Sequence, residues 1–329
     1  MNKIVTVGEV MLRLSPPGHS RFAQTDSLDV EFGGSEANVG AALAFWGENV
    51  SHVTAFPDHE LGHRAAAQLR KNGISTDLVA FGPGRLGVYF LENGALQRSS
   101  KIIYDRFESS FARYNGSEVD WDLVLDGVDW VHWSGISPAI SQDSADLTLS
   151  ILTAARKRNV QVSGDLNYRS NLWQYGKQAP DIMPALMELT TVMIAGTRDF
   201  NQCLGANYTS FDQAKSVAFE AYPHLDYICK TNRITHDATN NSISAELHTA
   251  EAVFFSQKYE ISPIVDRVGT GDAFAGGLIY GLTHLEPQQA IEFAMASGVL
   301  KHSVPGDILL CSKKEVEEVM EGTSGKIKR

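Results

Sequence analysis

The feature that most constrains the fold of this chain is a regular alternation of short β-branched stretches with helical patterns. Strands are predicted at 4–7, 50–55, 130–133, 160–165 and 192–194, and helices at 35–46, 61–71 and 143–157. In a strand–helix–strand unit the two strands run parallel, and the helix covers one face of their sheet. The alternation therefore predicts an α/β fold with a mostly parallel sheet between two layers of helices.

Two segments interrupt this alternation, at about 11–33 and 86–108. They carry polar and apolar residues in turn, without a helical period, as in the run Gly87-Val-Tyr-Phe-Leu-Glu. Such patterns predict antiparallel strands outside the main sheet. A small second sheet built from two insertions would cover a site as a lid. We therefore predict one domain over 1–329, with a small antiparallel β lid formed by these two insertions.

The charge balance limits the classes of partner. The 329 residues include 28 Lys and Arg against 39 Asp and Glu, a net charge of −11, whereas nucleic acid and anionic lipid require clustered basic residues. Cys203, Cys229 and Cys311 form no CxxC pair, so they give neither a disulfide framework nor a thiolate zinc site. No stretch approaches the ~18 apolar residues of a membrane span. We expect a cytoplasmic protein with no nucleic-acid and no membrane partner.

The strongest local motif is the run Asp266-Arg-Val-Gly269-Thr270-Gly271-Asp272, which a helical pattern follows directly. Glycines let the backbone N–H groups converge, and the positive end of the helix dipole adds to them, so the turn predicts an anion site. At its mouth, the Asp272 carboxylate could take a proton from a hydroxyl that attacks phosphorus. The alternative is an ordinary glycine turn with Asp as the helix cap.

A second glycine motif lies near the N-terminus, in the run Phe32-Gly33-Gly34-Ser35-Glu36-Ala37-Asn38. Two glycines allow a ligand to approach the backbone closely, and Asn38 lies one helical turn inside the predicted helix. The alternative is a strand-to-helix turn whose small residues pack on the sheet.

Taken together, the 33–38 and 269–272 motifs resemble the two motifs of the ribokinase-like (PfkB) sugar kinase family. Their order, their spacing and the surrounding β/α alternation agree over nearly the whole chain. Further stretches add to the resemblance: Gly8-Glu9-Val10-Met11-Leu12-Arg13-Leu14, Tyr104-Asp-Arg106, His132-Trp-Ser-Gly-Ile136 and Asp165-Leu-Asn-Tyr-Arg169.

This resemblance implies a ribokinase-like three-layer α/β/α core and an ATP-dependent carbohydrate kinase that uses Mg2+ and K+. It also implies a homo-oligomer, a dimer or larger. Within the family, these stretches are most similar to members that phosphorylate the C6 hydroxyl of the sugar acid 2-keto-3-deoxygluconate. Another sugar, such as fructose, ribose or a related keto acid, stays open as the substrate.

The resemblance also assigns roles to individual residues. Asp272 would be the base, with the turn Gly269, Thr270 and Gly271 holding the transferring phosphate. Residues implied in substrate binding are Gly33, Gly34, Asn38, Tyr89, Tyr104, Arg106, Ile136, Arg169 and Asp272. Residues implied in ATP binding are Lys230, Thr231, Gly269, Gly271, Gly298 and His302. Asp199 would hold Mg2+ through water, and Asp266 a monovalent cation.

Arg106 and Arg169 connect the resemblance to the substrate class. A planar guanidinium suits a carboxylate, and a neutral sugar has none to place, so paired arginines favour an acid sugar. The alternatives are a solvated charge at a strand edge for Arg106 and an ion pair with Asp165 for Arg169.

The sequence departs from the family pattern at three places. Thr270 replaces the usual alanine between the two glycines, and we expect it to fit because its backbone φ can stay negative. The run Gly196-Thr-Arg-Asp199 replaces an Asn-x-x-Glu that supports Mg2+ in many relatives. Lys230-Thr-Asn-Arg lacks the usual glycines.

A different class of function is indicated by the run His59-Glu60-Leu61-Gly62-His63, which satisfies the H-E-x-x-H pattern of zinc peptidases. A zinc hydrolase using His59, Glu60 and His63 is therefore one rival hypothesis, and a non-catalytic sugar-binding protein that kept the fold is the other. Gly62 is a poor helix residue, and Pro57 and Asp58 place the run at a helix start, so a polar helix N-terminus is favoured.

Overall fold

The computed structural model describes residues 1–237 and 240–323, and a large, mostly parallel sheet lies at its centre. The central strands are β1 (Lys3–Val7), β4 (Asn49–Pro57), β5 (Ile74–Ser75), β6 (Val79–Gly82), β9 (Trp130–Ser134), β10 (Gln161–Asp165), β11 (Val192–Ile194), β12 (Tyr227–Thr235), β13 (Asn241–His248), β14 (Val253–Phe255) and β15 (Tyr259–Ile261). Their spatial order is β14-β13-β12-β11-β10-β9-β1-β4-β5, parallel from β12 to β5. The β13 strand pairs antiparallel with β12, β14 and β15, and β6 continues beside β4.

Helices cover both faces of this sheet. They are α1 (Ser35–Phe45), α2 (Glu60–Lys71), α3 (Trp121–Val124), α4 (Gln142–Lys157), α5 (Ala179–Glu188), α6 (Thr197–Leu204), α7 (Phe211–Ala221), α8 (Thr270–His284), α9 (Pro287–Lys301) and α10 (Lys313–Met320). Apolar residues of α1, α2, α8, α9 and α10 form one core with the sheet, and those of α3 to α7 form the other.

The strands supply both cores because successive side chains point to opposite faces. In β1, Ile4 packs in the first core and Val5 in the second. In β9, Trp130 and Val131 divide in the same way. A strand buried on both faces is a continuous apolar run, which is why these strands were visible in the sequence.

A second sheet of four strands lies apart from the first, and we call it the lid sheet: β2 (Met11–Ser15), β3 (Asp29–Gly33), β7 (Val88–Glu92) and β8 (Lys101–Asp105). Its order is β3-β2-β7-β8; the outer pairs are antiparallel and the central β2–β7 pair is parallel. The register places Glu31, Arg13, Tyr89 and Tyr104 side by side, one on each strand. Residues at one register position share a face of the sheet, so these four form a polar row across it.

The predicted α/β/α core and the small lid sheet are confirmed, with the parallel central pair of the lid as a detail that alternation alone does not give. The five strands and three helices predicted from the sequence have bounds within two residues of those observed. The last six residues of the predicted 1–329 domain lie outside the described residues. Among the described helices, none has the length and apolar character needed to cross a bilayer. The three cysteines are buried and free.

Candidate active site

A cavity of about 460 Å³ lies between the lid sheet and the carboxyl ends of the central strands. Its walls include Glu9 after β1, Ile136 after β9 and Asp165 at the end of β10. In the central sheet β1 has β4 on one side and β9 on the other. The chain passes from β1 to β4 and later crosses back to β9, so the direction in which strands are added reverses between β1 and β9. Open α/β sheets bind ligands in the crevice at such a reversal.

The glycine turn 269–271 forms one end of this cavity. Gly269 caps α8 with φ +75°, and a Cβ there would overlap the carbonyl oxygen of Asp307, so only glycine fits. Thr270 has negative φ and begins the helix, as expected. Nothing lies within 4 Å of a Cβ at Gly271. The turn thus opens space directly at the N-terminus of a 15-residue helix, where N–H groups and dipole favour an anion.

Asp272 follows the turn and is held by two side chains of the N-terminal motif. Ser35 Oγ donates to its Oδ1 at 2.7 Å, and Asn38 Nδ2 donates to its Oδ2 at 2.7 Å. Burial raises the pKa of Asp272 to about 6, although these two hydrogen bonds oppose the rise. A carboxylate with this pKa is mostly ionised at pH 7 and can still accept a proton efficiently, which suits a general base.

The two glycine motifs therefore meet in space, although they are more than 230 residues apart. The Gly34 N–H donates to Asn38 Oδ1 at 3.4 Å, which orients the amide so that its nitrogen faces Asp272. A Cβ on Gly34 would overlap the Glu9 carbonyl, and one on Gly33 the Asp307 carboxylate. Glycine is needed at both places for close packing around the cavity.

The polar row of the lid sheet meets two carboxylates of the core. Arg13 donates a hydrogen bond to Asp307. The Arg13 Nη2 atom lies 3.4 Å from Asp266 Oδ2, and the Arg13 Nη1 atom lies 3.2 Å from Glu31 Oε2. The Tyr89 hydroxyl also donates to Asp307. Burial and the neighbouring Asp307 charge hold the pKa of Tyr89 well above its usual value. Because the Tyr89 hydroxyl donates its hydrogen bond to Asp307, the lone pairs of its oxygen face other donors.

Arg106 belongs to the lid as well, since it follows β8. The Arg106 Nε and Nη2 atoms each lie 2.8 Å from Glu9 Oε2. The side chains of Arg106 and Glu9 are almost fully buried. The solvated strand-edge alternative for Arg106 is therefore wrong. Its guanidinium lies 5.9 Å from the centre of the Tyr104 ring, and both residues line the cavity.

Arg169 faces the same cavity from the core, after β10, together with Ile136. Within the described residues it forms no ion pair, so the alternative pairing with Asp165 is not observed. Partial burial of Asp165, together with the charges of Asp199 and Asp272, raises its pKa to about 8, while Arg169 opposes the rise.

The residues implied in ATP binding outside the turn do not line this cavity. Lys230 lies 3.5 Å from Glu246 and 4.7 Å from the centre of the Phe211 ring. Thr231 is exposed on the same strand. His302 is buried with its Nδ1 2.7 Å from the Gly298 carbonyl, and burial lowers its pKa to about 4. Their roles toward ATP stay predictions.

The two implied cation ligands have protein partners. Asp199 accepts N–H bonds from Gly196 at 2.9 Å and Tyr168 at 3.2 Å. Asp266 accepts from Val268 at 3.0 Å and Gly306 at 3.1 Å, in addition to its contact with Arg13. The monovalent-cation role of Asp266 stays a prediction.

The H-E-x-x-H run begins α2 on the outside of this cavity. His59 is the helix cap, and its Nδ1 accepts the Leu61 N–H at 3.3 Å. His63 Nε2 lies 3.0 Å from Asp58. Within the described residues no cluster of three or more His, Cys, Asp or Glu could hold a metal ion. The run therefore acts as a polar helix start.

Sequence reasoning missed several residues of the site, and some left a signal. Glu9 and Arg13 are charges inside an otherwise apolar stretch, and both prove to be buried. A charge at such a position is costly unless it is paired, so it marks a partner elsewhere in the chain. Asp307 also lines the cavity, from a loop with no distinctive local pattern. Arg233 and Arg267 line it too, and they lie inside the runs 230–233 and 266–272, in which sequence reasoning gave them no role.

Comparison with known proteins agrees with this geometry. The family model for pfkB family carbohydrate kinases matches residues 1–314. A 2-dehydro-3-deoxygalactonokinase of Haloferax volcanii is 31% identical over 328 residues, 99% of each chain. The 2-dehydro-3-deoxygluconokinase structure from Thermotoga maritima is 42% identical with a TM-score of 0.92, covering 98% of each chain.

A more distant E. coli structure, assigned as a ribokinase II in complex with ATP and Mg2+, has a TM-score of 0.82. It is 18% identical and covers 98% of this chain and 100% of its own, a likeness that shows the fold alone. The family match over most of the chain and the full-length relative identify the chain itself. It belongs to the pfkB family of carbohydrate kinases.

Proposed function

We propose that this chain transfers the terminal phosphate of ATP to the C6 hydroxyl of 2-keto-3-deoxygluconate, giving 2-keto-3-deoxy-6-phosphogluconate. The observation that carries the proposal is Asp272, a half-buried carboxylate with a pKa raised to about 6 beside an open glycine turn at a helix N-terminus. The activities for which the relatives from H. volcanii and T. maritima are named support the sugar-acid class.

In the proposed step, the substrate hydroxyl gives its proton to Asp272 as its oxygen attacks the terminal phosphorus. The bond from that phosphorus to the bridging oxygen breaks, and ADP leaves. Ser35 and Asn38 fix both carboxylate oxygens, so the base is already oriented before the substrate arrives. The N–H groups at the start of α8 stabilise the charge of the phosphoryl oxygens.

Mg2+ bound with ATP supplies positive charge that offsets the phosphate oxygens. Asp165 and Asp199 would hold it through water, since Mg2+ in phosphate sites commonly keeps several waters and one or two carboxylates. The raised pKa of Asp165 reflects repulsion from Asp199 and Asp272 in addition to burial. Ionising all three carboxylates together is therefore unfavourable, and a bound cation would offset their repulsion.

The substrate carboxylate is assigned to Arg169, with Arg106 completing its environment from the lid. Arg169 lines the cavity without an ion pair in the described part of the chain, so its charge is available to a ligand. Tyr89 presents an acceptor, because its hydroxyl donates its hydrogen bond to Asp307 and leaves the oxygen lone pairs free, and this suits a substrate hydroxyl.

A coupled assay with ATP tests the proposal on four acceptors: 2-keto-3-deoxygluconate, its C4 epimer 2-keto-3-deoxygalactonate, fructose and ribose. We expect both acids to exceed the neutral sugars by at least ~100-fold in kcat/KM, the loss expected when a buried charge partner is missing. The epimer is a second candidate because the relative from H. volcanii is a 2-dehydro-3-deoxygalactonokinase. Equal turnover of fructose or ribose would refute the sugar-acid assignment.

A further inference from the structure

Lys301, the last residue of α9, is a buried cation that the proposed step does not use. The residue is fully buried, and its Nζ donates to the Val304 carbonyl at 2.8 Å. A buried ammonium is costly unless negative charge lies near it. Lys301 therefore marks a place in the interior where the fold requires a positive charge.

The negative charge comes from Asp266 and Asp307, beside the glycine turn. Burial lowers the pKa of Lys301, whereas the charges of these two aspartates raise it. In the described part of the chain no carboxylate lies within 4.0 Å of its Nζ, so the attraction acts over a longer distance, which shielding from water makes effective. Arg13 contacts both aspartates, and Glu31, which also contacts Arg13, is partly exposed to solvent. Two buried cations therefore balance two buried carboxylates.

The oxygens that a monovalent cation would need at this place are already engaged. Asp266 Oδ1 accepts the Val268 N–H at 3.0 Å, and its Oδ2 accepts the Gly306 N–H at 3.1 Å. The Val304 carbonyl accepts from Lys301. A K+ ion freed of its water needs several such oxygens at once, and the two cations already beside these aspartates would repel it. The K+ that the resemblance implies at Asp266 therefore does not fit these residues.

The aspartates that Lys301 faces hold the glycine turn. Asp266 accepts the N–H of Val268, directly before the turn, and the Asp307 backbone packs against Gly269. Repulsion between two uncompensated carboxylates would loosen these contacts. We infer that Lys301 is a positioning residue whose ammonium supplies the fixed positive charge for which the resemblance implies K+, so that the turn forms without a monovalent cation. The catalytic importance of the turn rests on the proposed function.

Activity in matched salts tests the inference on the unmodified protein. The reactions contain ATP as its Tris salt, Mg2+, the sugar acid, and KCl, NH4Cl or tetramethylammonium chloride. We expect kcat/KM to differ by less than about twofold between the salts at one ionic strength, where screening is equal. A larger activation by K+ would overturn the inference, and this comparison decides even if a variant fails to fold.

Three variants test the charge itself. Lys301→Met keeps the length of the side chain without its charge, Lys301→Ala leaves room for a small cation, and the control Lys71→Met alters an exposed lysine at the end of α2. In tetramethylammonium chloride we expect both Lys301 variants to lose about 10-fold or more in kcat/KM, because buried carboxylates lose a partner. K+ or NH4+ should restore activity in Lys301→Ala but not in Lys301→Met. The control should match the unmodified protein in every salt.

Two results with the variants would contradict the role of the charge: full activity of Lys301→Met in tetramethylammonium chloride, or a loss in Lys301→Ala that no small cation restores. The second would assign Lys301 to packing alone. Tm and titration calorimetry with ATP, measured in the same salts, require no sugar. If the unmodified protein binds ATP yet transfers nothing to a sugar acid, the proposed function fails, while the effect of K+ on Tm and on ATP binding still decides the role of Lys301.

Discussion

Two arginines of the lid and two of the core rim differ in how their charges are compensated. On the lid, Arg13 and Arg106 are buried and paired with core carboxylates, Asp307 and Glu9. On the core rim, Arg169 and Arg233 line the cavity with no ion pair among the described residues. The difference indicates that the lid arginines fasten the lid to the core, whereas the rim arginines are available to ligand anions.

The net charge of −11 gives this contrast its importance. The global field of the protein opposes both of the proposed anionic ligands, so positive charge must be concentrated where they bind. An arginine already paired with a carboxylate adds little net charge, while an unpaired one adds a full unit. The acidic surface and the anionic substrates are therefore compatible.

The largest effect is expected at Asp272, the group around which the rim charges are arranged. Asp272→Asn removes the proton acceptor but keeps the shape, so kcat should fall by about 10²- to 10⁴-fold with little change in either KM. Steady-state kinetics with the sugar acid measure this, and Asp212→Asn, an exposed aspartate on α7, is the matched control. Near-normal turnover of Asp272→Asn would show that another group is the base.

Paired and unpaired arginines should respond differently to truncation. Arg106→Ala leaves Glu9 buried without its partner, so we expect the free energy of unfolding to fall by about 3–5 kcal/mol. Arg169→Ala should leave Tm nearly unchanged and raise KM for the sugar acid by about 10-fold or more, with KM for ATP little affected. Thermal unfolding and kinetics on both variants test this. A stability loss in Arg169→Ala, or an equal rise in both KM values, would break the comparison.

The fastening of the lid can be weakened without altering its shape. Asp307→Asn reduces the pairing with Arg13 and the bond to Tyr89, and we expect a loss of about 1–3 kcal/mol. Because the contact joins lid to core, amide hydrogen exchange should accelerate in β2 and β7 more than in β1. The control is Asp105→Asn, which removes an exposed lid pair with Arg85 worth less than about 1 kcal/mol. Uniform acceleration across the chain would contradict a local role.

The smallest expected effect is the decline of kcat/KM on the acid side of the pH profile. Asp272 must be ionised to accept a proton, and its pKa is raised to about 6, so kcat/KM should rise with pH up to about 6 and level off above it. Below pH 6 the loss should approach tenfold per pH unit, as for a single proton. The limb should disappear from the residual activity of Asp272→Asn. A limb near pH 4 would mean that burial does not control this group in the working enzyme.

Much of the fold could be predicted because its signals are local. The strands at 4–7 and 130–133 are continuous apolar runs, and the glycine turn at 269–271 stands directly before a helical pattern. Asp272 could be proposed as the base for the same reason, since it directly follows that turn. The polar row of the lid could not, because strand alternation does not reveal which strands become neighbours or whether they run parallel.

The roles of the arginines show the same limit most clearly. Sequence reasoning gives Arg106 and Arg169 the same role, yet Arg106 is buried against Glu9, whereas Arg169 forms no ion pair within 4.0 Å in the described chain. Arg13 and Asp307 are 294 residues apart, and no local pattern connects them.

The sequence by itself determined the α/β architecture and the family, and it singled out the glycine turn and the proposed base, because each depends on short runs or on their order. Only the tertiary structure decided which charges are neutralised and which remain open to ligands. The physical reason is that the free energy of a charge depends on burial and on partners within a few ångströms. Those partners, Asp307 for Arg13 and Glu9 for Arg106, are brought together only when the lid sheet closes over the core.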